Sequence, residues 1–320
     1  MKKLILSALA AATFCTVRAQ SNTLSLSQSG NGNNAPVTQK GSSNSGAITV
    51  AGDNNYSSFE QSGRSLSGAI SVAGSRNSAS MQTDHYLNET FIKQEGNDNT
   101  SLVFSTLRSD HNRLSFTQLG DGNRGYASAS DHSDNNQITV TQNGNRNTGE
   151  SYAFYHSTHN QISLSQTGDV NIGFAGASNS DRNQISLVQS GNNNNGFVGS
   201  YDGGSNSGIV SQTGDGNKAQ LSQAGFYNSA SVQQEGNGNT LKALDPAPGE
   251  RIRIRYIGAV QQGSGNLLSL MQAGDGNALH FRQMGSGNAL KLSQTGADNV
   301  TYLSQMGSGN TAAVTQGASF

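Results

Sequence analysis

A chain of 320 residues has room for two ordinary domains, but 32% hydrophobic residues without a single Trp is thin material for a conventional core. The formal charge of -1, with only 12% charged residues, argues against disorder driven by charge. The wealth of Asn, Gln, Ser and Gly leaves two outcomes, a floppy tract or an amide-rich β assembly, and periodicity decides between them.

In chain order, residues 1–19 read as an export signal. Lys2 and Lys3 are the basic start, Leu4 to Ala12 the apolar stretch, and Val17-Arg18-Ala19 the cleavage site before Gln20. The apolar stretch is too short to span a bilayer. Cys15 is the only cysteine and falls in the removed segment, so the mature chain is expected to be exported, unanchored and free of disulfides.

From Asn22 an eleven-residue phrase begins: Asn22, Leu24, Leu26, Gln28, Gly30. It returns at Asn112, Leu114, Phe116, Gln118, Gly120, at Asn183, Ile185, Leu187, Gln189, Gly191 and at Asn288, Leu290, Leu292, Gln294, Gly296. Gln-x-Gly-x-x-Asn occurs fifteen times, and Val50 and Val72 keep the frame in place of Gln. Spacing by two is the signature of a strand with one buried face. The Gly-rich segment after each Gln is turn chemistry, with Gly30, Gly120, Gly144, Gly168, Gly191, Gly214, Gly274, Gly285, Gly296 and Gly307 as turn glycines. Strand, turn, strand, turn makes one rung, so the expected fold is an all-β solenoid, a β-helix of 22–24-residue rungs with amyloid-like stacking.

Three stretches follow: a repeat solenoid over 20–240, an insertion over 241–258, and a resumed solenoid over 259–320. Within 94–212 alternate half-rungs lose their Gln and lengthen, which predicts a bulge or a wider corner. Tyr126, Tyr152, Phe154, Phe174 and Phe197 crowd into these halves; they are expected to fill the core along one edge, the alternative being an aromatic stripe that binds a partner. In the insertion, Pro246 and Pro248 predict a hinge. Arg251, Arg253 and Arg255 alternate with apolar residues and are the candidate contact for a polyanion, such as matrix polysaccharide or extracellular DNA.

A buried amide is costly unless its bonds are met, and in a parallel stack each Gln can bond the Gln above and below. Open terminal rungs would template further strands. The residues expected to govern that addition are Asn22, Gln28, Asn33 and Gln39 at one end. At the other they are Gln272, Asn277, Gln283, Asn288, Gln294, Asn299, Gln305, Asn310 and Gln316.

Gln212-Thr213-Gly214-Asp215-Gly216-Asn217-Lys218-Ala219 leading to Gln223, and Gln272-Ala273-Gly274-Asp275-Gly276-Asn277-Ala278 leading to Gln283, resemble the curlin repeat of curli fibres. The resemblance covers essentially the whole mature chain. It implies export through outer-membrane assembly machinery and self-assembly, with itself and other curlin-like subunits, into extracellular amyloid fibres at the bacterial surface. Adhesion and biofilm are the roles that follow from it.

The residues themselves point to no cofactor, metal or catalytic site. The Gly-Asp-Gly turns lack the regular Asp that calcium-binding rolls need. The six histidines show no metal spacing, and no nucleophile motif is present. The expected function is a secreted structural fibre subunit and not an enzyme. The competing expectations are a monomeric solenoid adhesin, displaying Ser163, Ser165, Thr139 and Thr141 to a surface, and a minor nucleator of the same fibres.

Overall fold

The computed structural model describes residues 6–7, 15–18, 21–243 and 259–317. Among them every regular element is a strand, and every ladder pair is parallel. The expected β-solenoid is therefore the observed fold. The chain divides into two compact units, residues 1–159 and 160–320.

In the first unit, one sheet stacks Thr23–Ser29, Ser45–Ala51, Ser67–Ala73, Glu89–Glu95, Arg113–Leu119 and Gln137–Asn143. The facing sheet stacks Val37–Ser42, Tyr56–Arg64, Ser78–Tyr86, Thr100–Thr106, Arg124–Ser130 and Thr148–Phe154. We call the first the regular sheet and the second the variable sheet, since irregular half-rungs fall only in the latter. The expected export signal lies mostly outside the described residues; Leu6–Ser7 and Cys15–Arg18 add in parallel to the first strand of each sheet.

The second unit repeats the plan. Its regular sheet runs from Gln161–Thr167 through Gln184–Ser190, Ser207–Thr213, Ser229–Glu235, Leu267–Ala273 and Ala289–Thr295 to Thr311–Gly317. Its variable sheet contains Ile172–Asp181, Asn195–Gly204, Lys218–Phe226, Ala278–Ser286 and Val300–Ser308. One position there is filled by two pieces. Thr240–Ala243 pairs with the start of Lys218–Phe226, and Ala259–Ser264 pairs with its remainder. Both pieces then pair with Ala278–Ser286. Residues 244–258, with both prolines and the three arginines, lie outside the described residues. The expected hinge at Pro246 and Pro248 thus falls outside the described residues, on whose far side the ladder resumes in register.

Inward positions alternate with outward ones as the period of two requires. In the first unit Ile48, Ile70, Leu114, Phe116, Ile138 and Val140 from the regular sheet form the core, each at most 1% exposed. The variable sheet faces them with small residues where its Gln is lost. Gly125 sits under the Phe116 ring so closely that a Cβ there would lie 1.8 Å from it.

This packing corrects the aromatic expectation. The inward residues of the irregular half-rungs are Gly125, Ala127 and Ala129, then Gly149, Ser151 and Ala153. Tyr126, Tyr152 and Phe154 take the alternate positions and stand half-exposed on the outer face. Phe174 and Phe197 of the second unit do the same, above inward Ala175 and Val198. The interior is already filled from the opposite sheet, so the rings are turned out.

The lengthened rungs use both devices predicted for them. Wider corners place two successive residues at positive φ, as at Leu107 and Arg108 or Asp131 and His132. A register shift falls between Tyr201 and Gly204 in the second unit.

Candidate functional site: amide ladders and the sheet edges

A parallel strand pair places identical positions one above the other, and the repeat fills those positions with the same amide. In the second unit Gln166, Gln189, Gln212, Gln234, Gln272, Gln294 and Gln316 occupy one column. Gln189 Nε2 donates to Gln212 Oε1 at 2.9 Å and to the Ile172 carbonyl at 2.9 Å, while its own Oε1 accepts from Gln166 at 2.9 Å. The facing sheet carries a second column, Gln223, Gln261, Gln283 and Gln305, with donor–acceptor distances of 2.9, 3.0 and 2.7 Å. The first of those bonds spans the insertion.

Every Gln in these columns before the last donates toward the rung that follows it in sequence. The corner asparagines run the other way. Asn77 Nδ2 donates to Asn55 Oδ1 of the preceding rung at 3.1 Å and to the Gly96 carbonyl at 2.7 Å. Its own Oδ1 accepts from the backbone and side chain of Asn99 at 3.0 and 3.1 Å. Amides flanked by like amides thus meet their bonding needs from the neighbouring rungs, which makes their burial tolerable, whereas the buried Oε1 of Gln94 and of Gln223, each at the start of a Gln run, accepts nothing. The turn glycines supply the geometry: all ten named above take positive φ, from 99° at Gly30 to 125° at Gly144. At Gly120 a side chain is doubly excluded, because a Cβ would lie 2.2 Å from the Gly144 carbonyl of the next rung.

At the first edge the columns lose their partners. Gln28 is in register with Val50, and its buried Nε2 has no acceptor. Asn22 Oδ1 accepts from the backbone N–H of Asn44, while its Nδ2 is unpartnered. Gln39 donates to Gln61 at 2.8 Å, yet its buried Oε1 accepts nothing. Asn33 is fully engaged, donating to the Ser29 and Gly52 carbonyls. At the other edge Gln294 bonds Gln316, Asn299 bonds Asn277, Asn310 bonds Asn288, and Gln305 accepts from Gln283. There the core positions Leu303, Ala312 and Val314 are half-exposed rather than buried.

Val50 and Val72, which keep the frame in place of Gln, interrupt the regular column of the first unit between Gln28 and Gln94. Two features escaped the sequence reading. In the wide corners Ser109, Ser133 and Ser157 form a hydroxyl ladder in which the backbone N–H of each successor donates to the previous Oγ, at 3.0 and 3.3 Å. Their spacing of 24 residues is the signal that could have found them. Finally, the solvent-side corner residues Asp169, Asn192, Asp215, Asn237 and Asp275 form an outer column in which each oxygen accepts from the preceding backbone N–H at 2.6–2.9 Å.

Of the histidines, His132 and His156 stack at 5.1 Å on one corner. Among the described residues no three His, Cys, Asp or Glu converge as metal ligands. The candidate polyanion arginines lie outside the described residues.

Residues 214–242, one full rung of this geometry, match the family model described as the curlin associated repeat. That stretch carries a curlin repeat. The match falls where both Gln columns run side by side, and its strands Lys218–Phe226 and Ser229–Glu235 carry Gln223 and Gln234. No curated protein matches the chain. Rungs outside the match share its parallel register, and some of them replace the inward amide, as Val50, Val72 and Ala129 illustrate.

Proposed function

We propose that this chain is a secreted, non-enzymatic structural subunit that assembles end to end into extracellular fibres, serving adhesion and the biofilm matrix. The observation that carries the reading is the polarity of the Gln columns. The first edge holds a buried, unpartnered acceptor in Gln39 Oε1, and within each unit the Gln columns donate toward the rung that follows in sequence. A second copy added in parallel would satisfy what the first leaves open, through backbone bonds and amide pairs together. Export and the removal of residues 1–19 expose the first edge for that addition.

The test is seeded polymerisation of the chain without its leader, followed by thioflavin T fluorescence. A lag that seeds shorten, and that Gln39→Ala with Gln305→Ala lengthens, is expected. Persistent monomer with strand-type circular dichroism would refute the reading. The adhesin reading draws on the outer face of the regular sheet, where Ser115 lies beside Thr139 and Thr117 beside Thr141 in flat hydroxyl columns. It takes precedence if the chain stays monomeric and binds a glycan surface.

A further inference from the structure

The outward-turned rings of the first unit are not scattered. Phe104 and Tyr126 lie 5.8 Å apart on adjacent rungs, and Tyr152 stacks on Phe154 at 4.9 Å with 14° between planes. Outward Ser128 is buried to 1% exposure in the column between Phe104 and Tyr152, so the rings close into a continuous patch. Glu150 is set into this patch, in register with Tyr126 and two residues from Tyr152 on the same face. Burial raises the pKa of its carboxyl. Further along the face stand Asp84, raised by burial and by the neighbouring charge of Glu60, and Glu60 itself. None of the three forms an ion pair among the described residues, whereas the exposed carboxylates Asp98, Glu95 and Glu89 do. A half-buried carboxylate among aromatic rings is a receptor for an organic cation: the ring faces attract it, and the carboxylate answers its charge.

The chain itself contains a segment of the complementary chemistry. Arg251, Arg253 and Arg255 alternate with Ile252, Ile254 and Tyr256, so in extended form one face is cationic and the other apolar. Guanidinium groups stack on rings and grip carboxylates with planar geometry, which ammonium groups cannot do. The segment belongs to the excursion of residues 244–258, which leaves the variable sheet after Ala243 and rejoins it at Ala259. Fifteen residues going out and back could span at most roughly 23 Å by chain length alone. That is far enough to meet a second molecule.

We infer that the acidic aromatic face around Glu150 and Tyr152 docks the arginine segment 251–256 of a second copy of this chain. The contact is heterologous: each copy carries one face and one segment, so it joins molecules side by side rather than end to end. It does not depend on polymerisation, and it can be read on unassembled chain.

The probe is a fluorescein-labelled peptide of residues 249–258. The receptor is the whole chain without its leader, carrying Arg251→Gln, Arg253→Gln and Arg255→Gln so that its own segment does not compete. Fluorescence anisotropy is expected to show saturable binding. Adding Glu150→Gln or Tyr152→Ser should weaken it at least ~10-fold, the scale of one desolvated cation–π or charge contact. Replacing the peptide arginines by lysine should weaken it several-fold, and Thr139→Glu on the opposite sheet should leave it unchanged. Circular dichroism checks that the variants keep their strands, and Phe104→Ser provides a second lesion at the patch. Two whole-chain variants then test the occupant. Chain carrying the three Arg→Gln changes and chain carrying Glu150→Gln should each fail to associate with itself, while their mixture associates by light scattering. Absence of saturable binding, or binding indifferent to both Glu150→Gln and Tyr152→Ser, would overturn the inference. So would a mixture that stays monomeric, which would assign the peptide to its own chain. Selective binding of a neutral oligosaccharide on the same rings, with the peptide excluded, would also overturn it and give the face to a glycan.

Discussion

Replacing Gln189 by Leu isolates what one ladder member contributes. Gln189 is 1% exposed and bonded on both sides, to Gln166 and to Gln212. Leu has nearly the same volume, so the change leaves little cavity and removes the amide alone. Gln212 Oε1 loses its donor and Gln166 Nε2 loses this acceptor. Each orphaned buried group costs about 1–3 kcal/mol, giving about 2–6 kcal/mol in sum. Gln184→Leu on the same strand is the control, since that side chain is exposed. A solenoid opens rung by rung, so hydrogen exchange read by mass spectrometry suits it better than a single melting curve. Backbone protection over 184–190 and the two adjoining strands should fall by about 30-fold or more, the equivalent of about 2 kcal/mol. If Gln189→Leu exchanges no faster than Gln184→Leu, the ladder holds no stability and the amides are only a sequence habit.

Three further outcomes follow from the packing. Gly125→Ala drives a methyl group into the Phe116 ring, and should lower stability by about 1–3 kcal/mol in denaturant unfolding, with Phe116→Leu in the same chain restoring much of it. Asn77→Asp should be worse than Asn77→Ala. It places a carboxylate against the Asn55 oxygen and the Gly96 carbonyl, where the amide donated, and exchange protection at Asn99 reads the difference. Glu150→Gln should stabilise the fold at neutral pH. Its folded pKa is raised by burial, so the charged form carries a penalty that grows as pH rises from the ordinary carboxylate range through the folded value. The gain should therefore vanish below that range, and an equal gain at pH 3 and pH 7 would refute the cause.

The solenoid was legible because its two signals are local. Alternation in Asn112 to Gln118 fixes which residues face inward, and Gly120 fixes where the strand must turn. The amide ladders followed from them, since any parallel stack in register superposes like on like. The orientation of the aromatics was not legible. In Tyr126-Ala127-Ser128-Ala129 both parities offer small residues, and hydrophobicity alone sends the ring inward. What sends it outward is Phe116, ten residues earlier and on the opposite sheet, which already occupies the space above Gly125. The resumption of the ladder beyond Pro246 and Pro248 was not legible for a similar reason. Prolines report that a strand stops, whereas Val260 and Gln261 decide that it resumes in the register of Gln223. At the first edge, the gap between Gln28 and the next Gln of its column was visible as Val50 and Val72. Its consequence, an amide with no acceptor, required the register.

The outer corner column has an electrostatic consequence. Strands stack at about 4.8 Å, so an acid at every corner of a fibre would form a line charge dense enough to hold a sheath of condensed cations, as nucleic acids do. In water two unit charges interact with an energy equal to RT at about 7 Å. From Asp169 to Asp275 the column alternates Asp with Asn, which doubles the spacing of charges to about 9.6 Å and brings it past that threshold. The amide keeps the same bond to the backbone that the carboxylate makes. Such a column repels its neighbours in dilute solution without having to recruit counterions as it lengthens.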